Sequence, residues 1–192
     1  IPNVGKSTLI NAVAGRSVAK TGNEPAITKG LQKIRVDDGV IFLDTPGILW
    51  PKIHNENSSY RLAASGAIKD TAMEVEDVAY YLTGFLLEQY PQYLVERYQL
   101  ISTPQNEMAF LELLGAQRGC LRAGGQVDLE KVSSILVNEF RSGKLGQITL
   151  ETPGMVIAEE IIVAQKRREK AERDELRKQK KHGSRKAPDK TK

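Results

Sequence analysis

The chain opens on a phosphate-binding motif, Pro2-Asn3-Val4-Gly5-Lys6-Ser7-Thr8, which runs into a helical pattern. Successive backbone N–H groups at the start of a helix bind clustered phosphate oxygens when the surrounding side chains are small. The Walker A pattern, G-x-x-x-x-G-K-[ST], encodes this arrangement. Gly5-Lys6-Ser7 matches its second half, and its first glycine would stand one position before Ile1. A Gly-Lys-Ser triplet also occurs at helix starts by chance, so the loop alone does not define a nucleotide site.

Two later features favour a nucleotide site. Asp44-Thr45-Pro46-Gly47 follows the apolar segment Val40–Leu43. An aspartate at a strand end can hold Mg²⁺ through water, and the Gly47 N–H can reach a γ-phosphate. Thr28 lies between the two motifs, where a threonine hydroxyl can bind Mg²⁺ and sense the γ-phosphate. Alone it could equally be a surface hydroxyl. In this order, the three elements predict a switch-type GTPase that uses GTP and Mg²⁺.

The pattern assigns a role to each polar residue of this site. Lys6 is expected to neutralise the β- and γ-phosphates, and Ser7 and Thr28 to bind Mg²⁺ directly. Asp44 is expected to orient the water shell of the metal. We predict Lys6 and Thr28 as the catalytic residues. The predicted nucleotide contacts are Pro2, Asn3, Val4, Gly5, Lys6, Ser7, Thr8 and Gly47.

Ile48 stands directly after Gly47, where many GTPases carry a glutamine that orients water. An apolar side chain cannot orient water by hydrogen bonding. The sequence therefore predicts slow intrinsic hydrolysis, with activation by a partner or an ion.

The chain reads as three regions. Residues 1–65 are expected to be α/β, with strands at 32–36 and 40–43, a turn at Asp37-Asp38-Gly39 and a helix that ends near Gly15. The segment 54–59 is polar and is expected to be a mobile loop. Residues 66–165 show helical spacing, with Pro91 opening one helix, Asp128 capping another and Gly143 ending it. Residues 166–192 are expected to extend a helix through about Lys181 and to be disordered from Gly183.

The Asn-Lys-x-Asp motif that usually recognises guanine is missing after Gly47. The nearest segment, Ala67-Ile68-Lys69-Asp70, lacks the asparagine. Either the protein does not select guanine, or its base-binding motifs precede the phosphate-binding loop. The incomplete Walker motif favours the second alternative, which is the order of a circularly permuted GTPase.

With these motifs, residues 1–165 resemble the bacterial ribosome biogenesis GTPase A (YlqF) family of the YlqF/YawG group. The resemblance rests on 1–8, on Pro25–Gly30, on Asp44–Leu49, on Ala67–Asp70 and on Phe140–Gly146. It implies an incomplete, N-terminally truncated and circularly permuted α/β P-loop GTPase domain, followed by an all-α domain that contacts ribosomal RNA. It also implies GTP hydrolysis during late assembly of the large ribosomal subunit. Similar GTPases with asparagine at the Asn3 position respond to K⁺, so Asn3 is a possible K⁺ ligand; it could also be a turn-forming residue.

Charge adds weaker support for an RNA partner. The net charge is +4, but residues 166–192 alone hold 13 basic and 5 acidic residues, which leaves the rest acidic. A basic tail favours a polyanionic partner. On the helical region, solvated surface and phosphate binding are equally good explanations for four basic residues near glycines: Arg118, Arg122, Arg141 and Lys144.

Other features of the sequence limit the expected cellular compartment and the classes of partner. No apolar run is long enough for a membrane span, and the single cysteine fits a reducing compartment, so we expect a cytoplasmic protein with no membrane or DNA partner. Two other functions stay open from the sequence alone. One is a different P-loop GTPase or ATPase with a helical regulatory domain, and the other is a catalytically incompetent RNA-binding fragment.

Overall fold

The computed structural model describes residues 1–22, 28–37 and 39–184. By compactness the chain forms two units, Ile1–Leu150 and a second that begins at Glu151. The sequence-based division at 65/66 and 165/166 stays a prediction. In the described residues, no helix is both long enough and apolar enough to cross a membrane.

The phosphate-binding end holds one helix and a two-stranded sheet. Helix α1 spans Lys6–Ala14 and ends at Gly15, whose left-handed φ of 62° lets its N–H reach the Ala12 oxygen. Strand β1 (Gln32–Asp37) pairs antiparallel with β2 (Val40–Asp44), with an irregularity between Arg35 and Asp37. Both predicted strands and the Gly15 helix end are confirmed. Asp38 of the predicted turn lies outside the described residues.

A small hydrophobic cluster holds α1 against the sheet. Ile10, Ala19 and Ile34 are buried in it. The Asn11 side chain holds the segment that follows α1 through a bracket of three hydrogen bonds. Its oxygen accepts from the N–H groups of Val18 and Ala19, and its nitrogen donates to the Ala19 oxygen. This bracket leads residues 20–22 back towards the phosphate-binding loop.

Helix α2 (Glu56–Ala64) corrects the prediction of a mobile loop over 54–59. Asn55 caps the helix by accepting from the Asn57 N–H at 3.0 Å. Ala63 and Ala64 are buried on the other end of the helix. Helical structure after the sheet therefore starts at Glu56, and the cap at Asn55 was the sequence signal for it.

Four further helices build the main core after a short 3₁₀ turn at Asp70–Ala72. They are α3 (Val75–Gln89), α4 (Pro91–Tyr98), α5 (Glu107–Gln117) and α6 (Leu129–Arg141). The predicted starts at Pro91 and Asp128 are confirmed, since the Asp128 side chain accepts from the Lys131 N–H. The hydrophobic residues fully shielded from solvent in this core are Ala64, Ala79, Leu82, Leu86, Leu94, Phe110, Val132 and Leu136.

The second unit contains one long helix, α7 (Pro153–Ser184). The predicted helix in the charged region is confirmed. The predicted disorder from Gly183 is wrong for Gly183 and Ser184, which belong to α7. Residues 185–192, the rest of that prediction, lie outside the described residues.

Candidate nucleotide-binding site

The phosphate-binding loop wraps the N-terminal end of α1. Asn3 and Gly5 take left-handed backbone conformations, with φ of 51° and 80°, and α1 begins at the next residue, Lys6. Its unpaired N–H groups and the positive end of its dipole attract anions. The Lys6 Nζ donates to the Ile1 oxygen at 2.7 Å, so the ammonium group lies across the loop.

One pocket collects the predicted nucleotide contacts. Residues that the motifs predicted and that line it are Pro2, Asn3, Val4, Gly5, Lys6, Ser7, Thr8, Thr28 and Gly47. Lys20, Thr21 and Gly22 also line it, and the sequence analysis did not identify them. Their only sequence signal is indirect, because Asn11 folds the chain at Val18 and Ala19.

Of the three predicted Mg²⁺ residues, Ser7 and Thr28 line this pocket, and both are bonded to the third, Asp44. The Ser7 hydroxyl donates to Asp44 Oδ2 at 2.8 Å, and the Thr28 hydroxyl donates to the same oxygen at 3.3 Å. The Ser7 and Thr28 hydroxyl oxygens are themselves 3.3 Å apart. Three residues separated by 21 and 16 positions in sequence therefore converge on one point.

Asp44 provides the test of whether this cluster fits a metal. Asp44 is 2% exposed, and its Oδ1 has no hydrogen-bond partner among the residues that the structure describes. A buried carboxylate oxygen without a partner is costly, so such an atom is expected to contact a water molecule or a cation. Two hydroxyl oxygens and a carboxylate are oxygen donors of the kind Mg²⁺ prefers. The residues present therefore fit Mg²⁺.

Gly47 packs directly on the phosphate-binding loop. A Cβ at this position would overlap the Cα and nitrogen of Pro2. Only glycine allows this approach, which puts the Asp44–Gly47 segment against the start of the chain. Ile48, directly after Gly47, is 74% exposed, and Trp50, three positions after that glycine, is 72% exposed.

Asn3 links the loop to the helical part of the chain. Its Nδ2 donates to the Gly66 oxygen, just beyond the end of α2, at 3.2 Å. The structure thus gives Asn3 a contact that the sequence did not predict. Its assignment as a K⁺ ligand stays a prediction.

The basic residues predicted to bind RNA lie in different surroundings. Arg118 donates to Glu139 at 2.9 Å, Arg122 donates to Asp128 at 3.0 Å, and Arg141 donates to Asp70 at 2.7 Å. The Arg141 hydrogen bond and charge hold the pKa of Asp70 below its usual value although partial burial opposes them. Lys144 is exposed. RNA binding by these residues stays a prediction, and the structure assigns structural partners to the three arginines.

The chain is similar to known proteins over most of its length. The profile of the family described as "50S ribosome-binding GTPase" matches residues 1–103. "Ribosome biogenesis GTPase A" from Priestia megaterium is 46% identical over 153 residues, which are 80% of this chain and 53% of the relative. This chain thus spans about half the length of the curated relatives it matches.

Two solved structures are similar to the chain. The GDP-bound structure of TM YlqF has a TM-score of 0.54 and 26% identity, over 80% of this chain and 58% of that one. The GNP-bound YlqF from T. maritima has a TM-score of 0.51 and 28% identity, over 80% of this chain and 57% of that one.

Proposed function

Because this chain belongs to the 50S ribosome-binding GTPases, and within them to the ribosome biogenesis GTPase A (YlqF) family, we propose that it binds and hydrolyses GTP during assembly of the large ribosomal subunit. The family membership gives the chain a P-loop GTPase fold, and the family profile covers residues 1–103. Activity, substrate and partner are proposals for this chain, since it spans about half of its relatives.

One observation carries the proposal. Ser7, Thr28 and Asp44 converge beside the loop, and Asp44 keeps a buried oxygen that accepts no hydrogen bond from any of the described residues. Ser7 and Thr28 would bind Mg²⁺ directly, and Asp44 would hold the waters around it. When bound, Mg²⁺ neutralises charge on the phosphates. Because Thr28 and Asp44 come from two different segments, the cluster can respond to the γ-phosphate by holding or releasing Thr28.

Lys6 and the loop would orient the phosphates. The backbone N–H groups of Val4, Gly5 and Thr8 would donate to phosphate oxygens, and the Lys6 ammonium would balance negative charge on the γ-phosphoryl group. Ile48 is exposed and apolar, so no side chain at that position orients the attacking water. We therefore propose slow intrinsic hydrolysis, stimulated by the ribosomal partner or by K⁺ bound beside the loop with Asn3 among its ligands.

Guanine would be recognised by residues that precede the phosphate-binding loop in the sequence. The sequence after Gly47 has no Asn-Lys-x-Asp motif, so we propose the circularly permuted order, in which the base-binding motif precedes the loop. The coding sequence upstream of Ile1 tests this directly. An Asn-Lys-x-Asp motif there supports the permuted order, and a guanine-selective protein without one contradicts it.

Ribosomal RNA would be bound by the helical region and the basic segment 166–192. Arg122 supports this, since its side chain is 60% exposed despite its ion pair, and so does exposed Lys144. Arg118 and Arg141 would add less, because carboxylates already compensate their charge. The 13 basic residues of the segment 166–192 provide long-range attraction to phosphates.

Nucleotide binding can be measured with the intrinsic fluorescence of Trp50, the only tryptophan of the chain, which lies three positions after Gly47. We expect GTP to change the signal in a Mg²⁺-dependent way, with excess ATP competing poorly. Lys6→Ala should weaken GTP binding at least about tenfold, because it removes charge-assisted hydrogen bonds. Asp44→Asn should remove the Mg²⁺ dependence. Asp174→Asn on exposed α7 is the matched control and should behave as wild type.

The outcomes separate the alternatives. Equal affinity for ATP and GTP would replace the proposal by a non-selective NTPase. No nucleotide response at all, together with binding to ribosomal particles, would leave an RNA-binding fragment.

The RNA part is tested by the affinity for large ribosomal subunits as a function of salt. We expect affinity to fall steeply with salt, and the slope to decrease when residues 166–192 are deleted. Lys144→Ala should weaken binding, whereas Lys52→Ala, an exposed lysine of the α/β region, should not. Salt-independent binding would contradict this part of the proposal.

A further inference from the structure

The end of helix α2 is a point where distant parts of the chain meet. After α2 ends at Ala64, Gly66 takes a left-handed φ of 77°, and its N–H donates to the Ala63 oxygen at 2.9 Å. The last carbonyl oxygens of a helix lack intrahelical partners and carry the negative end of its dipole. This end therefore attracts donors and positive charge.

Arg141, the last residue of α6, supplies both. Its Nε donates to the Ala64 oxygen at 3.0 Å, and its Nη2 donates to the Ala63 oxygen at 2.8 Å. The same guanidinium donates twice to Asp70, at 2.7 and 3.3 Å. The planar fork of arginine is what allows one side chain to hold two carbonyls and a carboxylate together. The end of α2, the 3₁₀ turn and the end of α6 are thereby joined by one group.

Asn3 of the phosphate-binding loop contacts the same helix end. Its Nδ2 donates to the Gly66 oxygen at 3.2 Å across 63 positions of sequence. A Cβ on Gly66 would lie 3.3 Å from both the Arg141 Nε and the Asn3 Nδ2. The two side chains thus pack over the same point of the backbone, one from the loop and one from the helical core.

We propose that Arg141 is a positioning residue for the phosphate-binding loop. By fixing the end of α2, it fixes the Gly66 oxygen to which Asn3 is bonded, and Asn3 in turn holds the loop three residues before Lys6. The loop's role as a GTP site rests on the proposed function, whereas the mechanical link between Arg141 and the loop does not. Arg141 acts through Gly66 and Asn3 without touching the nucleotide.

The first experiment measures hydrogen exchange of residues 3–12 in the full chain without nucleotide. Arg141→Lys keeps a positive charge beside Asp70 but lacks the fork that reaches both carbonyls. We expect exchange in this segment to rise about five- to tenfold, the size expected for the net loss of one ordinary hydrogen bond. Arg118→Lys is the matched control, since Arg118 makes the same kind of bond to Glu139 in the same core and, within the part of the chain that the structure describes, makes no hydrogen bond to α2 or the loop. It should leave exchange of 3–12 unchanged.

The second experiment measures GTP affinity through Trp50 fluorescence in a double-mutant cycle. Arg141→Lys should weaken GTP binding, and so should Asn3→Ala. If Arg141 acts through Asn3, the double variant should bind GTP no more weakly than Asn3→Ala alone, because coupled residues are not additive. Fully additive losses would overturn the inference.

The outcomes keep the inference and the proposed function apart. Unchanged exchange of 3–12 in folded Arg141→Lys overturns the inference whatever the GTP affinity is. Equal increases in Arg141→Lys and Arg118→Lys also overturn it, because the effect is then general destabilisation. Faster exchange confined to Arg141→Lys, in a protein that does not bind GTP, supports the inference and contradicts the proposed function. Should Arg141→Lys fail to fold, Asp70→Asn is the second variant, because it replaces one of the two carboxylate oxygens that orient the Arg141 guanidinium. It is expected to show a smaller increase confined to residues 3–12, and unchanged exchange there would overturn the inference.

Discussion

The phosphate-binding region and the helical region of this chain are stabilised to very different degrees. In residues 1–50, the described hydrophobic cluster has three buried members, and several large apolar side chains of the same region, such as Leu9, Val13 and Ile41, are exposed. In residues 56–150, one continuous cluster has sixteen buried members. Since apolar burial is the main favourable term in folding, most of the stability of the first unit comes from its helices. The loop that carries the chemistry is held by a few specific contacts.

The largest effect expected from this difference is in the helical core. Phe110 is fully buried on α5 and packs edge-on against Tyr98 at 5.4 Å between ring centroids. We expect Phe110→Ala to lower the free energy of unfolding by about 3–5 kcal/mol, the usual cost of a large cavity. Chemical denaturation monitored by circular dichroism measures it. Leu113→Ala, at a 49% exposed position of the same helix, is the control and should cost far less.

A steric change in the phosphate-binding region should act locally. In Gly47→Ala the new Cβ overlaps the backbone of Pro2, and overpacking of this kind costs about 1–3 kcal/mol. We expect weaker GTP binding and faster hydrogen exchange in residues 1–10, with exchange in α3 and α6 unchanged. Gly154→Ala, where an added Cβ meets nothing within 4 Å, is the control. Exchange that rises equally in the helical core would show that the two regions are not separable.

A polar contact inside the helical region should have a smaller effect. Glu139 is 8% exposed and accepts from Arg97, Arg118 and the Tyr98 hydroxyl. Because both arginines keep about a third of their side chains exposed, solvent screens the pairs, and we expect Glu139→Gln to cost about 1–2 kcal/mol. Thermal unfolding at neutral pH measures this cost. Glu88→Gln, an exposed position on α3, is the control.

The same residue should make stability depend on pH. Burial raises the pKa of Glu139, but the Arg97 hydrogen bond and the charges of Arg118 and Arg97 outweigh it, so the net pKa lies below the ordinary 4.5. A carboxyl whose pKa is lower when folded stabilises the protein above its unfolded pKa. That contribution should decline as pH falls below about 4.5 through the folded pKa, and be lost beneath it. The difference in melting temperature between wild type and Glu139→Gln should shrink over that range; a constant difference would contradict the assignment.

The smallest effect should come from the small cluster. Ile10 is 8% exposed beside Ile34, and Ile10→Val removes one methylene for about 0.5–1.5 kcal/mol. We expect this loss of stability to appear as faster hydrogen exchange in α1, with little change in the global melting temperature. Leu9→Val, at a 66% exposed position, is the control. A global loss comparable to that of Phe110→Ala would remove the distinction between the regions.

Local signals account for the parts of the fold that the sequence predicted. The strands around Gly39, the Gly15 helix end and the Asp128 cap depend on residues within a few positions of one another. Helix α2 was missed because its first turn is polar and its apolar side is short, although Asn55 marked its start. The tertiary position of the helix decides its structure, and propensity contributes little.

The parts of the candidate site that belong to recognised sequence motifs could be predicted. Ser7, Thr28 and Asp44 were grouped by order along the chain, and the structure brings them within hydrogen-bonding distance. The approach of Asn3 to Gly66 was not predictable, because it joins residues 63 positions apart without any motif. The pairing of Arg118 with Glu139 was not predictable for the same reason. Because Glu139 compensates the positive charge of Arg118, this arginine should attract RNA phosphates less strongly.

The Asn11 bracket has a consequence for the entropy of ligand binding. One side-chain amide satisfies three backbone groups at Val18 and Ala19, so the chain leading to Lys20–Gly22 is ordered by the fold itself. A pocket wall that is already fixed loses little conformational freedom when a ligand arrives. The wall formed by Lys20–Gly22 is therefore preorganised, and the entropic cost of binding should fall mainly on segments that lack such a bracket. Calorimetry on Asn11→Ala would show it as a more unfavourable binding entropy at similar enthalpy.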